Sequence, residues 1–123
     1  MKWKVIFYPE FEFEFDVLTA AVQDELLAHA TLLQEFGPSL GRPHVDTLNN
    51  SKYANMKEIR FKVDGGVWRI AFAFDLMRDA VVLVAGNKSG KSERLFYKQL
   101  IKKADQRYEK HLSLLEMENA YIN

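Results

Sequence analysis

Glu58, Arg60 and Arg69 are the residues whose types and spacing could do chemistry. From Met56 to Val63, Met56, Glu58, Arg60 and Lys62 alternate with Ile59, Phe61 and Val63. That period of two puts Glu58 and Arg60 on one face of a half-buried strand. An Asp64-Gly65-Gly66 break follows, and then Trp68, Ile70, Phe72 and Phe74 alternate with Val67, Arg69, Ala71 and Ala73. Turn glycines between two such runs predict a β-hairpin, which brings Arg69 alongside Arg60. A carboxylate set among guanidinium groups can serve as a base beside cations that hold an anion. Such residues on an exposed strand are more often a solvated ion pair than a catalytic one. Ala71 and Ala73 leave a floor of small side chains ringed by Glu58, Arg60, Lys62 and Arg69, a surface suited to an anionic ligand.

Two other patterns compete for attention. Ala85–Ser92, AGNKSGKS, fits a relaxed phosphate-loop pattern between an apolar strand and a helix, with alanine in place of the first glycine. Such domains need further parallel strands after the loop, and only about 30 residues remain, which read as one helix, so no βαβ crossover can be completed. The loop amides and lysines could instead meet the phosphates of another polyanion. His29, His44 and His111 lack a helical i, i+4 partner, and the chain has no cysteine, so no metal site and no cofactor are expected.

Length and composition set the frame for these residues. A chain of 123 residues with 48% apolar content fits one domain with one core. No apolar run approaches the roughly 20 residues of a membrane span. With no charged-then-apolar leader and no cysteine, a cytoplasmic protein with no membrane partner is expected. The net charge of zero hides an uneven distribution. Residues 1–36 carry two basic and seven acidic groups, whereas 88–111 carry eight basic and three acidic. Local field rather than net charge attracts a polyanion, so the basic C-terminal half keeps nucleic acid in play.

The supporting elements follow from the pattern on either side. Residues 2–8, KWKVIFY, alternate and predict a first strand ending at Pro9. EFEFEFD alternates too, but Phe11, Phe15, Leu18 and Val22 also sit at helical spacing, and a helix is expected by Phe15. Leu18, Val22, Leu26, Ala30 and Leu33 form one stripe in Asp16–Phe36, with Thr19 capping a break between two helices and Gly37-Pro38 ending the second. Residues 37–55 read as a long connection of the kind usually kept for function. Ala80–Ala85 is apolar on both faces, as a central strand should be. Ser92 is the expected N-cap of a last helix with Phe96, Leu100, Ala104, Tyr108, Leu112 and Leu115 on its apolar stripe. A domain over 1–112 and a tail or helix extension over 113–123 are expected.

The segments FGPSLGRPHVDTLNNSKYANMKEIRF, GGVWRIAFAF, GNKSGK and FYKQLIKKADQRYEKHL, in this order, resemble the HigB-like branch of the RelE/ParE toxin superfamily over roughly residues 3–112. The resemblance implies an α+β, RelE-like fold: a small antiparallel sheet with N-terminal helices and a C-terminal helix. It also implies the toxin of a type II toxin–antitoxin system, neutralised by a cognate helix-turn-helix antitoxin. RelE-type members cleave mRNA on the ribosome without metal, whereas ParE-type members act on DNA gyrase, so a non-nuclease toxin binding a protein target is the alternative.

Cleavage of RNA by its own 2′-hydroxyl needs a base, cations for the phosphorane and a proton for the leaving 5′-oxygen. Arg60 and Arg69 are expected to stabilise the phosphate, Glu58 to act as base or to orient Arg60, and Lys88 to act as acid. Lys62 and Lys91 would contact RNA, and Tyr53 and Tyr97 could stack on its bases. Trp3, Phe7 and Trp68 read as core.

Overall fold

A computed structural model of the chain describes residues 2–122. Met1 and Asn123, the last residue of the expected tail, lie outside the described residues. Strand β1 (Lys4–Phe7) leads into helix α1 (Pro9–Asp16), and α2 (Ala20–Phe36) follows. After a 3-10 turn at Gly37–Ser39 come β2 (Val45–Thr47), β3 (Met56–Val63), β4 (Gly66–Phe74), β5 (Asp79–Asn87) and α3 (Glu93–Ile122).

Pro9 opens α1 rather than merely ending β1. Its fixed φ suits the first helical position, where no N–H is needed. The alternating EFEFEFD is therefore helical throughout. Thr19 does divide the two helices, its side chain accepting from the Val22 amide at 3.4 Å, and Gly37 caps the second at φ 56°. Val22, Leu26, His29 and Leu33 are the buried positions of α2.

The sheet has five strands in the order β1-β5-β4-β3-β2. β2 is the strand missing from the sequence reading. Three residues long, it lies in the expected loop and pairs antiparallel with β3, with Val45 opposite Ile59 and Asp46 opposite Glu58. Four strands run antiparallel, but β1 lies parallel to β5, with Val5 opposite Ala80. The sheet is thus mixed where an antiparallel one was expected. The β3–β4 turn holds only Asp64 and Gly65, both at positive φ (48° and 75°), as a two-residue hairpin turn matched to strand twist requires. Its register sets Arg60 opposite Arg69 and Glu58 opposite Ala71.

Helices cover both faces. α2 packs on the Ile59–Phe61 side, where His29 meets Phe61 at a ring separation of 5.2 Å. α3 lies on the opposite side, and this corrects the open floor expected above Ala71 and Ala73. Both are fully buried, because their missing bulk lets α3 descend onto the sheet. Gly86, opposite Arg69 in β5, makes the closest approach; a Cβ there would stand 2.8 Å from Phe96 Cε1. Ser92 accepts from the Leu95 amide at 3.5 Å and starts α3 as expected. Phe96, Leu100, Ala104 and Tyr108 fall on its buried stripe. The helix continues unbroken through residue 113 to Ile122. Trp3, Phe7 and Trp68 are half-buried flank rather than core. Among the described residues, no helix is long and apolar enough to cross a membrane.

Candidate functional site

β3 and β4 bring Glu58, Arg60 and Arg69 to one face, and α3 adds a group that the sequence reading had placed only as a possible base-stacker. The Tyr97 hydroxyl donates to Glu58 Oε1 at 2.9 Å and accepts from Arg69 Nε at 3.1 Å. Glu58 and Arg69 are 6% and 5% exposed, and their nearest charged atoms are 3.7 Å apart, so the phenol links a pair that does not hydrogen-bond directly. Arg69 Nη1 donates to the Trp68 carbonyl at 2.9 Å.

Burial pushes the Glu58 carboxyl above the usual carboxylate range, although the Tyr97 hydrogen bond and the Arg69 charge pull the other way. Burial also raises the Tyr97 phenol, and its bond to Glu58 adds to that. A carboxylate whose pKa is lifted toward neutrality by desolvation is suited to exchanging a proton.

This cluster forms part of the wall of a cleft of about 780 Å³. β3 contributes Glu58 and Arg60 to it. One side is Thr47 at the end of β2 with Leu48–Asn50 of the connection to β3, and the other is the α3 face that carries Arg94, Tyr97, Lys98 and Lys102. Arg60 Nη1 lies 3.3 Å from Asp46 Oδ2, while Arg42 also holds that carboxylate at 2.7 Å and keeps it below its ordinary pKa. Arg60 also lines a smaller depression of about 360 Å³ with Arg42, Lys62 and Arg69. Of Arg60 and Arg69 it is the more exposed, whereas two of Arg69's donor groups are committed inside the protein.

The other expected site residues divide. Lys88 reaches Glu93 Oε1 at 2.9 Å and lies 5.6 Å from the Tyr97 ring centre, so it borders the cluster. Lys62 and Lys91 are exposed, and Lys91 stands 6.0 Å from the Phe96 ring. Tyr53 is not brought to the cluster, for it packs edge-on against Tyr108 at 4.8 Å. The loop amides after β5 do not form an anion cradle. The Lys88, Ser89 and Lys91 N–H groups donate to Val67 O, Asn87 Oδ1 and Lys88 O.

His29 and His44, read separately in the sequence, meet with ring nitrogens 3.3 Å apart. His111 instead bonds the buried Asp75 at 2.7 Å. Among the described residues, no three His, Cys, Asp or Glu side chains converge as metal ligands. The cleft's charged α3 residues were missed because they read as the solvated side of an amphipathic helix. The i, i+4 spacing of Arg94, Lys98 and Lys102 was the available signal.

Residues 13–109 match the family described as Phage derived protein Gp49-like (DUF891). Two Mycobacterium tuberculosis proteins that carry toxin names are similar in sequence. HigB2 is 44% identical over 92 residues, covering 74% of this chain but 45% of that protein, so the chain spans under half its length. HigB3 is 41% identical over 109 residues, covering 89% and 93% of the two chains. A solved structure of a mutant E. coli toxin RelE in the free state superposes with a TM-score of 0.62 at 16% identity, covering 87% of this chain and 98% of that one. At that identity the likeness shows a shared fold.

Proposed function

This chain belongs to the Gp49-like family and is HigB-like, and we propose that it is a toxin of the RelE/ParE superfamily, a metal-independent endoribonuclease that cuts mRNA on the ribosome. The observation that carries this reading is the buried Glu58, its pKa raised by desolvation, held by Tyr97 within a cleft that Arg60 enters. A surface that only bound a protein partner would gain nothing from a desolvated carboxylate among cations, which costs stability.

In this mechanism Glu58 takes the proton from a ribose 2′-hydroxyl. The freed 2′-oxygen attacks the adjacent phosphorus, and Arg60 balances the charge that gathers on the phosphorane oxygens. The P–O5′ bond breaks with protonation of the leaving oxygen, leaving a 2′,3′-cyclic phosphate and a 5′-hydroxyl. Lys88, bordering Tyr97, is the candidate proton donor. Arg69 is a positioning residue, holding the Tyr97 hydroxyl and thereby Glu58, rather than the phosphate ligand that its side chain suggests in the sequence. A helix-turn-helix antitoxin would silence the protein in the cytoplasm by covering its basic surface.

Induced expression with transcriptome-wide mapping of 5′ ends tests this. New ends inside codons are expected for the wild type and not for Arg60→Ala or Glu58→Gln. Intact messages with DNA-damage signalling would overturn the nuclease reading in favour of a gyrase-type target.

A further inference from the structure

We infer that the α3 face bearing Arg94, Lys98 and Lys102 is a track for the backbone of single-stranded RNA, which lies along the helix and delivers its scissile bond to Glu58 and Arg60; this rests on the endonuclease reading above. The three cations follow one another every four residues, so they stand about 6 Å apart along the helix axis and span about 12 Å. That step is comparable to the distance between successive phosphates of an extended strand. All three are exposed, and among the described residues none makes an ion pair. By contrast, Arg60 across the cleft and Lys88 in the loop before the helix are held by Asp46 and Glu93.

The facing wall completes the argument. Asn49 and Asn50 offer amide groups that can donate and accept, as base edges require, and both are exposed. Between the walls, Tyr97 and Ile101 supply half-buried apolar surface on which a base can lie. The Lys102 end is closed by Asp105, which accepts from Ser51 Oγ at 2.5 Å and from the Lys52 amide at 3.0 Å. The run from Arg94 to Lys102 therefore holds about three nucleotides of one strand. Phosphate contacts of this kind fix register without reading sequence, so the track positions the message and leaves discrimination to the asparagine wall.

The test uses the full chain and a short fluorescein-labelled single-stranded RNA with 2′-O-methyl riboses, which cannot supply the attacking oxygen, so anisotropy reads binding apart from cleavage. Replacing Arg94, Lys98 and Lys102 together by Ala is expected to weaken binding at least tenfold. The slope of log affinity against log salt should fall by about 2, since each phosphate contact on a single strand contributes about 0.7. A charge-matched control, Lys2→Ala, Lys4→Ala and Lys110→Ala, should stay within twofold of wild type.

Equal binding by the α3 triple variant, or equal weakening by the control, would overturn the track. So would a wild type that ignores the strand but binds an acidic peptide in the same cleft. The two readings separate cleanly. A wild type that grips the strand through these three residues yet leaves messages uncut keeps the track and sinks the endonuclease. A triple variant that binds and cuts like wild type does the reverse.

Discussion

Two carboxylate–guanidinium pairs anchor the sheet and its helices, and they are built to opposite ends. Glu14 of α1 and Arg107 of α3 form a two-pronged pair at 2.8 and 2.5 Å, and Arg107 Nη1 also donates to the Leu83 carbonyl at 2.7 Å. The Arg107 hydrogen bonds hold Glu14 below the usual carboxylate range. Glu58 and Arg69 are more deeply buried, yet they stand 3.7 Å apart with the Tyr97 hydroxyl joining them, and the Glu58 carboxyl is pushed up. The first geometry satisfies its charges and ties three elements together. The second leaves a carboxylate under-compensated beside an open cleft, a cost that makes sense where proton transfer is the purpose.

The largest expected effect is on the Glu58–Arg69 pair. Glu58→Gln should lower the cleavage rate at least about 100-fold, as loss of a general base does, while melting no lower than wild type. Primer-extension assays and calorimetry together check this, and a fully toxic variant would end the distinction between the pairs. Arg107→Met should do the opposite. Cleavage by folded protein should persist, while stability falls by about 2 kcal/mol because the buried Leu83 carbonyl loses its donor. Urea titration reads that loss.

The pH dependences have opposite signs. A raised folded-state pKa at Glu58 contributes stability that is fully present below the unfolded value and lost as the pH rises through the folded one. The melting advantage of Glu58→Gln over wild type should therefore shrink as the pH drops from 7 through the range just above ordinary carboxylates. A lowered pKa at Glu14 contributes stability above the unfolded value that is lost as the pH falls through the folded one. Wild type should thus keep its lead over Glu14→Gln until more acidic solution. Parallel pH curves for the two variants would refute the contrast.

The smallest effect is expected from Tyr97→Phe. It removes a hydrogen bond that lowers the Glu58 pKa, so the acid limb of the cleavage rate should move to higher pH with only about a tenfold loss of rate. An unmoved limb would show that the hydroxyl serves packing alone.

Much of this arrangement was legible because strands declare their faces. Alternation through Met56–Val63 and Val67–Phe74 predicted the hairpin about an Asp64-Gly65-Gly66 break, of which Asp64-Gly65 forms the turn that sets Arg60 beside Arg69. Other features lacked a local signal. β2 has three residues in a Gly-, Pro- and Asn-rich stretch, and its extended form comes from pairing with β3. EFEFEFD satisfies both periods, so only Pro9 at its start could tip it to helix. The sheet face that α3 covers is encoded in neither period. The small Ala71 and Ala73 were the available clue, yet they read as vacancy for a ligand. The Glu14–Arg107 pair joins positions 93 residues apart, beyond any spacing rule.

Gly86 gives the site one further property. Phe96 sits against it, and Tyr97 is the next residue, so this absent side chain fixes how low the first turns of α3 ride over Arg69. Even one methyl group at position 86 would stand 2.8 Å from the edge of the Phe96 ring, so that ring, or the turn that carries it and Tyr97, would have to shift. The height at which the Tyr97 hydroxyl meets Glu58 and Arg69 thus depends on a shim of zero thickness in a neighbouring strand.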